Sequence, residues 1–471
     1  MATTSMIAVN RFGYGAKPNE LILVAQSPKE WLIKQLSQSP PVAFNYSLPS
    51  SSDIFIQLHA YRKNKKVAKK IAQELAGKDF DKQMSMEGVV TKKARNPAHK
   101  LLNQLSSDAI DQAIRSDHSL NWRLLDFFSN HFSVSASGPV MTAIAPTLER
   151  EAIAPNLLGN FEDLLLSVCQ HPAMLIYLNN ERSFGTNSQI NKNGRGKKKV
   201  GLNENLAREI LELHTLGVNG GYQQQDVTAL AKGITGWSVA RIGRDEGSGF
   251  LYRANGHEPG SLTLLGKSYK KSRKNAKQGE MMLRDLANHP ATARHISFKL
   301  AYHFISEQPP ESLINKMVKR WLATKGNIRE VMITLINAEE SWHADSQKFK
   351  TPREFVISSL RSIGDNKKLN LRQLMKSLSA LGQKPFSAGS PAGFSDSGND
   401  WNGGSAIMAR INWSAALSSK LSFKHTVNVE TIMSNSFGKN ISELSYNTIL
   451  RAESKEQAMT LLLMSPEFQR R

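Results

Sequence analysis

Helical periodicity is the feature of this sequence that most narrows what it can fold into. Many stretches place apolar residues three and four positions apart, which puts them on one face of an α-helix. Examples are INKMVKRWLATKG (314–326), IREVMITLINAEESW (328–342) and PREFVISSLRSIG (352–364). Strand-like alternation is scarce except around 236–266, where short alternating runs broken by glycines predict a β-hairpin. We therefore expect a mainly α fold, a multi-helix globular array with a small β-hairpin excursion near residues 236–266.

Four segments depart from the helical pattern and bear on how the chain is organised. They are a basic stretch at 62–100 and irregular loops at 185–200, 241–278 and 387–405. The last loop is rich in Gly, Ser and Asp, and a loop of that length inside a compact fold is usually functional or disordered. It also contains Phe394 and Trp401, large rings that a disordered linker would not need. We expect a single helical unit over residues 1–471, with 62–100 as a basic insert.

The chain is strongly basic. Its 471 residues include 61 Lys and Arg against 40 Asp and Glu, a net charge of +21. Such a charge attracts polyanions whatever the fold, so nucleic acid, an acidic polysaccharide, anionic lipid and an acidic protein all fit. Aromatic residues do not interleave with the basic runs, which makes nucleic acid the less expected partner. Solvated loops that keep the protein soluble are the simpler alternative.

The compartment is constrained by what the sequence lacks. No apolar run reaches the roughly 18 residues of a membrane-spanning helix, so we expect no membrane span. The start, MATTSMIAVNRFGYGAKPNE, has neither the basic region nor the long apolar region of a secretory signal. The protein is cytoplasmic as the sequence reads, or periplasmic or at the cell surface through co-export or a removed signal. Cys169 is the single cysteine, which excludes an internal disulfide, and its apolar neighbours predict a buried thiol.

The stretch GLNENLAREILELHTLGVNGGY (201–222) has the periodicity of an amphipathic helix but many polar residues. At about 100° per residue, the predicted core face contains Leu202, Leu206, Ile210 and Leu213. The opposite side contains Asn205, Arg208, Glu209 and Glu212. His214 falls at the edge of the apolar arc, so we expect it to be at least half-buried. The polar side is either a solvated face with Arg–Glu pairs at four-residue spacing or part of a site.

A site at this helix needs imidazoles from other segments, and the sequence supplies several. His131 lies among aromatic residues in DFFSNHFSVS, and His257 and Glu258 lie in the turn YRANGHEPG. Further histidines in NHPATARHISFKLAYHF are His289, His295 and His303. Two carboxylates at i, i+3 with such imidazoles could bind Zn²⁺ or Mn²⁺, or could act as an acid–base pair without a metal. No HExxH or comparably dense ligand motif occurs.

Several blocks, in order along nearly the whole chain, carry a family resemblance. They include VNRFGYGAKP, FFSNHFSVS, GLNENLAREILELHTLGVNGGYQQQDVTALAKGITGW, GSPAGFSDSGNDWNGGSAIMARINWSAAL and MSPEFQRR. These blocks resemble a bacterial family known as domain of unknown function 1800. The resemblance implies a mostly helical fold and names no reaction. It also implies a partner of sulfatase or alkaline-phosphatase type, often encoded nearby and commonly carrying a twin-arginine signal, with which this chain could be exported.

The sequence departs from the family pattern at a few positions. Phe128 and Ser129 stand where the family often has Trp-His, and Ala154 stands where it often has arginine. The family turn often reads His-Asp where this chain has His257 and Glu258. Any catalytic role that the family gives these positions is therefore in doubt here.

An enzyme is the first functional hypothesis. It is a hydrolase or transferase, with a divalent metal ion as a possible cofactor, that acts on an anionic glycan or modified polymer together with the sulfatase-like partner. The expected catalytic residues are Asn205, Arg208, Glu209, Glu212 and His214, and the expected metal ligands are His131, His257 and Glu258. Arg208 would orient a carboxylate, sulfate or phosphate, and the 387–405 loop would act as a lid.

The alternative hypothesis is a non-catalytic binding or scaffold subunit that docks an acidic partner protein or a polyanion. The basic loops would make the contact, with Lys197, Lys198 and Lys199 as the test residues. Such an association would weaken with salt and with reversal of those charges.

Overall fold

The computed structural model describes residues 4–76, 96–193, 201–270, 275–344, 348–364, 371–422 and 428–471. In these residues helices dominate, and β-structure is confined to two antiparallel sheets of two strands each. The prediction of a mainly α fold is therefore confirmed. Within the same residues, no helix is both long enough and apolar enough to cross a membrane.

The described N-terminal part of the chain is built from helices, including short 3₁₀ and π-helical segments. In chain order its elements are α1 (Thr4–Ile7), π1 (Ala8–Phe12), α2 (Glu20–Val24), α3 (Pro28–Gln35), α4 (Ser51–Ala76), α5 (Ala98–Arg115), α6 (Ser119–His131), α7 (Gly138–Ile144), π2 (Glu149–Ile153), a 3₁₀ turn (Ala154–Asn156), α8 (Phe161–Gln170), α9 (Pro172–Tyr177), a second 3₁₀ turn (Asn180–Arg182) and α10 (Gln189–Asn193). Helix α5 shows why these segments fold as they do. Its apolar residues Leu101, Leu105 and Ala109 lie on one face and are buried against the core.

The middle of the chain contains the β-structure. Its elements are α11 (Asn205–Glu209), π3 (Ile210–His214), α12 (Gln224–Gly233), β1 (Trp237–Val239), β2 (Phe250–Tyr252), a 3₁₀ turn (Ala254–Gly256), β3 (Leu262–Leu264), β4 (Lys267–Tyr269) and α13 (Lys277–Ala287). β1 pairs with β2, with Ser238 opposite Leu251, and β3 pairs with β4, with Thr263 opposite Ser268. The expected β excursion near 236–266 is thus two hairpins instead of one.

The C-terminal part returns to helices. Its elements are α14 (Pro290–Phe304), α15 (Glu311–Ala323), α16 (Ile328–Asn337), a 3₁₀ turn (Glu339–Trp342), α17 (Pro352–Ile363), α18 (Leu371–Ala380), a 3₁₀ turn (Gly398–Asp400), α19 (Gly404–Ser422), α20 (Val429–Phe437), α21 (Glu443–Leu450), α22 (Lys455–Met464) and α23 (Pro466–Gln469). Consecutive helices α14, α15 and α16 pack on one another, and α19 packs along α22. Helix α17 starts sharply because Thr351 and Glu354 form a capping box around Pro352.

Helix α6 lies at the centre of the molecule. Most of its residues are buried, including its basic residue Arg123, and it contacts α3 and the π-helical segments π1 and π2. A helix that is buried on nearly all sides is surrounded by other elements. Since π-helical turns are rare and often accompany functional sites, their position beside α6 directs attention to this helix.

The predicted irregular segments fold in different ways. The basic stretch 62–100 begins as a continuation of α4 and ends in the start of α5, while 77–95 lies outside the described residues. The 387–405 loop is partly exposed, but Ala388, Gly398 and Trp401 within it are buried. Cys169 is fully buried, which confirms the prediction of a buried thiol.

Candidate active site

A polar stripe on helix α6 marks the candidate active site. Four polar residues recur at three- and four-residue spacing, which places them on one face of the helix; they are Arg123, Asp126, Ser129 and Asn130. Arg123 is buried, whereas Asp126, Ser129 and Asn130 are half-buried. The stripe is only half-covered because it faces a cleft and not another apolar surface.

The cleft consists of two neighbouring cavities, called lobes here, that share a wall. The first has a volume of about 110 Å³ and lies between α6, π2, the start of α17 and the 387–405 loop. The second, of about 290 Å³, lies between α6, α14 and the same loop. Five residues line both lobes: Asn130, His303, Phe394, Ser395 and Asp396.

Glu149, the first residue of π2, is the group in the first lobe best suited to donate a proton. Its residue is only 4% exposed, and Ser129 Oγ donates a hydrogen bond to its Oε2 at 3.3 Å. Its Oε1 is buried and has no hydrogen-bond partner among the described residues. Burial raises the pKa of Glu149 to about 7, although Arg353 acts in the opposite direction. The carboxyl group is thus part-protonated near neutral pH, in the range useful for general acid catalysis.

Arg353 presents a free donor to the same lobe. Its Nε donates to Asp126 Oδ2 at 2.7 Å, and the Tyr14 hydroxyl donates to the same carboxylate oxygen. Its Nη2, in contrast, is buried without a partner among the described residues. A buried donor without an acceptor costs about 1–3 kcal/mol, so this nitrogen is well placed to bind an acceptor oxygen of a ligand.

A buried histidine connects the two lobes. His303 Nδ1 donates to Asp396 Oδ2 at 2.7 Å, and Arg123 Nη2 donates to His303 Nε2 at 3.1 Å. Since a guanidinium can only donate, the neutral imidazole must carry its proton on Nδ1. Burial lowers the pKa of His303, and Asp396 opposes the shift only in part. Both ring nitrogens are occupied, so His303 positions Asp396 and is not free to act as a general base.

An ion cluster lies beneath this histidine. Glu354 pairs with Arg123 at 3.1 Å and with Arg471 at 3.0 Å. Burial alone would raise the pKa of Glu354, but Arg471 and Arg123 outweigh it and lower the pKa to about 2. Charges buried this deeply are held only when they are paired on several sides, so the floor of the cleft is fixed.

The 387–405 loop forms a fixed wall of the cleft. The Asn130 side chain accepts from Phe394 N and donates to Phe394 O, both at 2.8 Å. Ser135 Oγ donates to Ala388 O at 2.6 Å. Gly393 passes so close to Asn130 that a Cβ there would lie 2.5 Å from its carbonyl oxygen. These contacts attach the loop to α6 and the residues after it, so the expected lid is a wall that carries Asp396 into the site.

The second lobe contains a lysine beside a neutral imidazole. Lys299 Nζ donates to His131 Nδ1 at 3.0 Å, and His131 Nε2 donates to His214 O at 3.2 Å. Burial lowers the pKa of His131 well below its usual value, and Lys299 adds to the shift. Burial also lowers the pKa of Lys299 to about 8. At neutral pH this pair therefore carries a single positive charge, on the lysine.

The predicted catalytic helix lies elsewhere, and its polar side is part of the surface. Asn205 is exposed, and Arg208 pairs with Glu204 at 3.3 Å on the outer face. Glu212 accepts a long hydrogen bond of 3.4 Å from the Tyr222 hydroxyl. For Glu209, partial burial and the neighbouring Glu212 raise the pKa. None of these residues lines either lobe.

His214 is fully buried, which confirms the prediction that it is at least half-buried. Of the predicted core face, Leu206 and Ile210 are buried, whereas Leu202 and Leu213 are only half-buried and Leu211 is buried instead of Leu213. The reason is the π-helical turn π3, which shifts the register of the last turn. The carbonyl groups that end this helix are satisfied by imidazoles, with His131 on His214 O and His295 Nε2 on Leu213 O at 3.1 Å.

The expected metal ligands are not brought together. His257 is held by Thr235 O at 3.0 Å and by Gln278 Oε1 at 2.9 Å. Glu258 accepts from the Asn187 backbone and side chain, while His131 contacts Lys299 and His214 instead. Among the residues that the structure describes, no three His, Cys, Asp or Glu side chains are grouped so that they could hold a metal ion. These residues do not fit the proposed metal site.

Comparison with known proteins agrees with the extent of the fold. A family model described as "Protein of unknown function (DUF1800)" matches residues 7–470. The chain belongs to the DUF1800 family. No curated protein and no solved structure matches it.

One departure of this DUF1800 member from the expected family pattern falls inside the cleft. Ser129, at the position where the resemblance implies histidine, donates to Glu149 in the first lobe. Phe128, at the position where tryptophan is expected, is fully buried against Phe132 and Phe161. The first departure changes a polar group at the candidate site, and the second changes only the packing behind it.

The sequence alone missed most residues of the cleft. The cleft residues that were not predicted from the sequence are Arg123, Asp126, Glu149, Lys299, Arg353 and Asp396. One usable signal was the spacing of polar residues in the otherwise apolar α6 segment. Another was the unusual 387–405 loop, which supplies Asp396. Nothing in the sequence around Glu149 distinguishes its carboxyl group from an exposed one.

Proposed function

We propose that this DUF1800 protein is an acid–base hydrolase or transferase whose active site is the two-lobed cleft beside α6. The observation that carries the proposal is the pairing of two incompletely satisfied groups in one lobe. Glu149 has a buried oxygen without a partner and a pKa near 7, and Arg353 has a buried nitrogen without a partner. Strongly perturbed acids in a cleft are candidates for catalysis.

In this proposal Glu149 is the general acid. Its protonated carboxyl group donates to the leaving oxygen of the substrate as the bond to that oxygen breaks. Arg353 binds an anionic or strongly polar oxygen near the reacting bond through Nη2, while its Nε stays on Asp126. Water or another hydroxyl forms the new bond to the substrate and returns its proton to the Glu149 carboxylate. Attack by water gives hydrolysis, and attack by another hydroxyl gives transfer. This assignment replaces Glu209 and Glu212, which lie outside the cleft.

The proposed substrate remains an anionic glycan or modified polymer. The net charge of +21 favours anionic ligands, and the free Arg353 nitrogen together with Lys299 adds positive groups within the cleft. A sulfatase-like partner would suit a polymer that carries sulfate groups, and it belongs to the same proposal.

Reducing-end release from acidic polymers tests the proposal. Purified wild type is incubated with heparin, chondroitin sulfate, alginate and polygalacturonate, beside Glu149→Gln. We expect wild type to cleave at least one polymer and the variant to lose about 10²–10⁴-fold in rate. No cleavage of any polymer would reject the substrate class, and undiminished cleavage by a folded Glu149→Gln protein would reject the acid assignment.

The second candidate function, a scaffold that docks an acidic partner, is supported by helix α4. Beyond Leu58 its residues through Ile71 are exposed apart from the half-buried Tyr61. Six cations lie in this part: Arg62, Lys63, Lys65, Lys66, Lys69 and Lys70. At about 100° per residue they fall within an arc of about 160°, so one side of a protruding helix is uniformly positive. Lys197, Lys198 and Lys199, the test residues expected from the sequence, lie outside the described residues.

Charge reversal on this helix tests docking. Lys63→Glu/Lys66→Glu should weaken capture of the sulfatase-like partner in a salt-dependent way. Asn64→Ser, on the opposite side of the same helix, is the matched control and should leave capture unchanged. Capture that is insensitive to both the reversal and salt would count against the scaffold function.

A further inference from the structure

Lys299 differs from the other buried cations of the cleft because no carboxylate pairs with it. Arg123 pairs with Glu354, and Arg353 pairs with Asp126. Lys299 forms no ion pair among the described residues, and its hydrogen bond goes to the neutral ring of His131. A cation that has lost most of its water is unfavourable without a close counter-charge. Asp396 raises the pKa of Lys299 but makes no ion pair with it, and its carboxylate accepts from His303 instead. An anionic group of a ligand would supply the missing charge.

The surroundings of Lys299 narrow the kind of ligand. Phe298 and Tyr302 flank it on α14, and their rings lie 5.9 Å apart at an angle of 30°. Both line the second lobe, and Phe298 is 42% exposed, so its ring lies at the mouth. Lys348 Nζ lies 4.1 Å from the centre of the Tyr302 ring and fixes that ring in place. The lobe thus combines the positive charge of Lys299 with two aromatic surfaces, and its acidic residue, Asp396, is hydrogen-bonded to His303.

We propose that the second lobe binds an acidic sugar unit, with its carboxylate or sulfate on Lys299 and the apolar face of its ring on Phe298 and Tyr302. This rests on the proposed function, because it specifies which part of the polymer lies next to the catalytic lobe. A lone inorganic anion would use the lysine but would leave the aromatic surfaces uncovered. A neutral sugar would cover the rings but would leave the lysine without a counter-charge.

The position of the lobe fits this role. It shares a wall with the first lobe at Asn130, Phe394 and Asp396. The volume of about 290 Å³ is close to the lower end of the range for small-molecule sites, which suits one small unit. The first lobe, of about 110 Å³, is smaller, so only the linkage end of the neighbouring unit would extend toward Glu149. The enzyme would then act on the linkage beside an acidic unit.

Equilibrium binding of small sugars to the full chain tests the proposal without any turnover. Calorimetric titrations with glucuronate, glucose 6-sulfate and glucose are carried out on wild type, Lys299→Met and Lys299→Gln. We expect wild type to bind at least one acidic sugar about tenfold or more tightly than glucose, and both variants to lose that preference. Which acidic sugar binds more tightly distinguishes carboxylate from sulfate. Lys232→Met, at a half-buried lysine on α12, is the matched control and should keep the preference.

Two results would overturn the proposal. One is equal binding of acidic and neutral sugars by wild type. The other is a preference for the acidic sugar that persists in a folded Lys299→Met or Lys299→Gln protein. Glu149→Gln separates this inference from the proposed function, since it should bind the acidic sugar like wild type. If the Lys299-dependent preference is present but Glu149→Gln still cleaves polymer, the acid assignment fails and the subsite stands.

Discussion

The cleft beside α6 and the polar helix at 205–214 contain the same kinds of side chain in opposite settings. On the helix, Arg208 pairs with Glu204 at the surface, where water screens the charges. In the cleft, Arg123 pairs with Glu354, and the side chains are only 1% and 6% exposed. Residue type and local spacing therefore do not identify a functional site. Burial and incomplete hydrogen bonding identify it, and both depend on tertiary structure.

Removing a carboxyl group from each region tests most directly whether the two regions differ in catalytic role. Glu149→Gln should lower the rate of polymer cleavage about 10²–10⁴-fold because the general acid is lost. Glu209→Gln and Glu212→Gln should stay within about twofold of the wild-type rate.

The wild-type rate should also fall as pH rises through about 7, because burial raises the pKa of Glu149 to about 7 and the acid form is lost above it. Steady-state rates between pH 5 and 9 check both points, and a larger loss for Glu209→Gln than for Glu149→Gln would reverse our assignment.

The arginines of the two regions, Arg123 and Arg208, should also contribute very differently to the free energy of unfolding. Arg123→Met removes a fully buried cation beneath His303 and disturbs a charge cluster, so we expect a loss of about 3–5 kcal/mol in the free energy of unfolding. Arg208→Met removes one member of an exposed pair and should cost less than about 1 kcal/mol. Urea unfolding of both variants makes the measurement. Equal losses would mean that the two ion pairs are equivalent despite their different burial.

The attachment of the 387–405 loop can be tested with two glycines. Gly393 has φ of +85° and no room for a Cβ beside Asn130, whereas Gly389 has open space around it. Gly393→Ala should therefore cost about 1–3 kcal/mol through backbone strain and should reduce binding in the second lobe, because Phe394 and Asp396 shift. Gly389→Ala should change stability by less than about 0.5 kcal/mol. Thermal unfolding and sugar titrations of both variants check this; a harmless Gly393→Ala would show that the loop is a movable lid.

The sequence supports the fold much better than the site. Apolar spacing such as that of Ile328, Val331 and Leu335 predicts a helix directly, because local periodicity and burial agree there. The π-helical turn at Ile210–His214 was not predictable in this way, since it changes the register without changing the pattern. One consequence was the wrong core placement of Leu213.

The site was less predictable because its parts come from distant segments. Glu149 and Arg353 are about 200 residues apart in the chain, and neither has a distinctive local motif. The raised pKa of Glu149 comes from burial, which only the packing of α6 and π2 around it provides. The helix at 205–214 attracted attention because its polar residues are close together in sequence, which is typical of solvated surfaces too.

His214 should have the smallest effect, a pH-dependent change in stability. This change separates a structural histidine from a catalytic one. Its two ring nitrogens are buried without partners among the described residues, and burial, with a contribution from Lys299, lowers its pKa to about 3. The unfolded chain gains a proton on this histidine below about pH 6.5 while the folded chain does not. This group therefore makes the protein less stable as pH falls from 6.5 toward 3.

His214→Leu should be within about 1 kcal/mol of wild type at pH 7, since an apolar side chain of similar size replaces unpaired nitrogens. At pH 5 it should gain about 2 kcal/mol relative to wild type, whereas His59→Phe, at an exposed position on α4, should show no such gain. Chemical unfolding at the two pH values measures the difference. A loss of several kcal/mol in the free energy of unfolding of His214→Leu at pH 7 would mean instead that His214 makes a required polar contact. A functional role for the helix at 205–214 would then be supported.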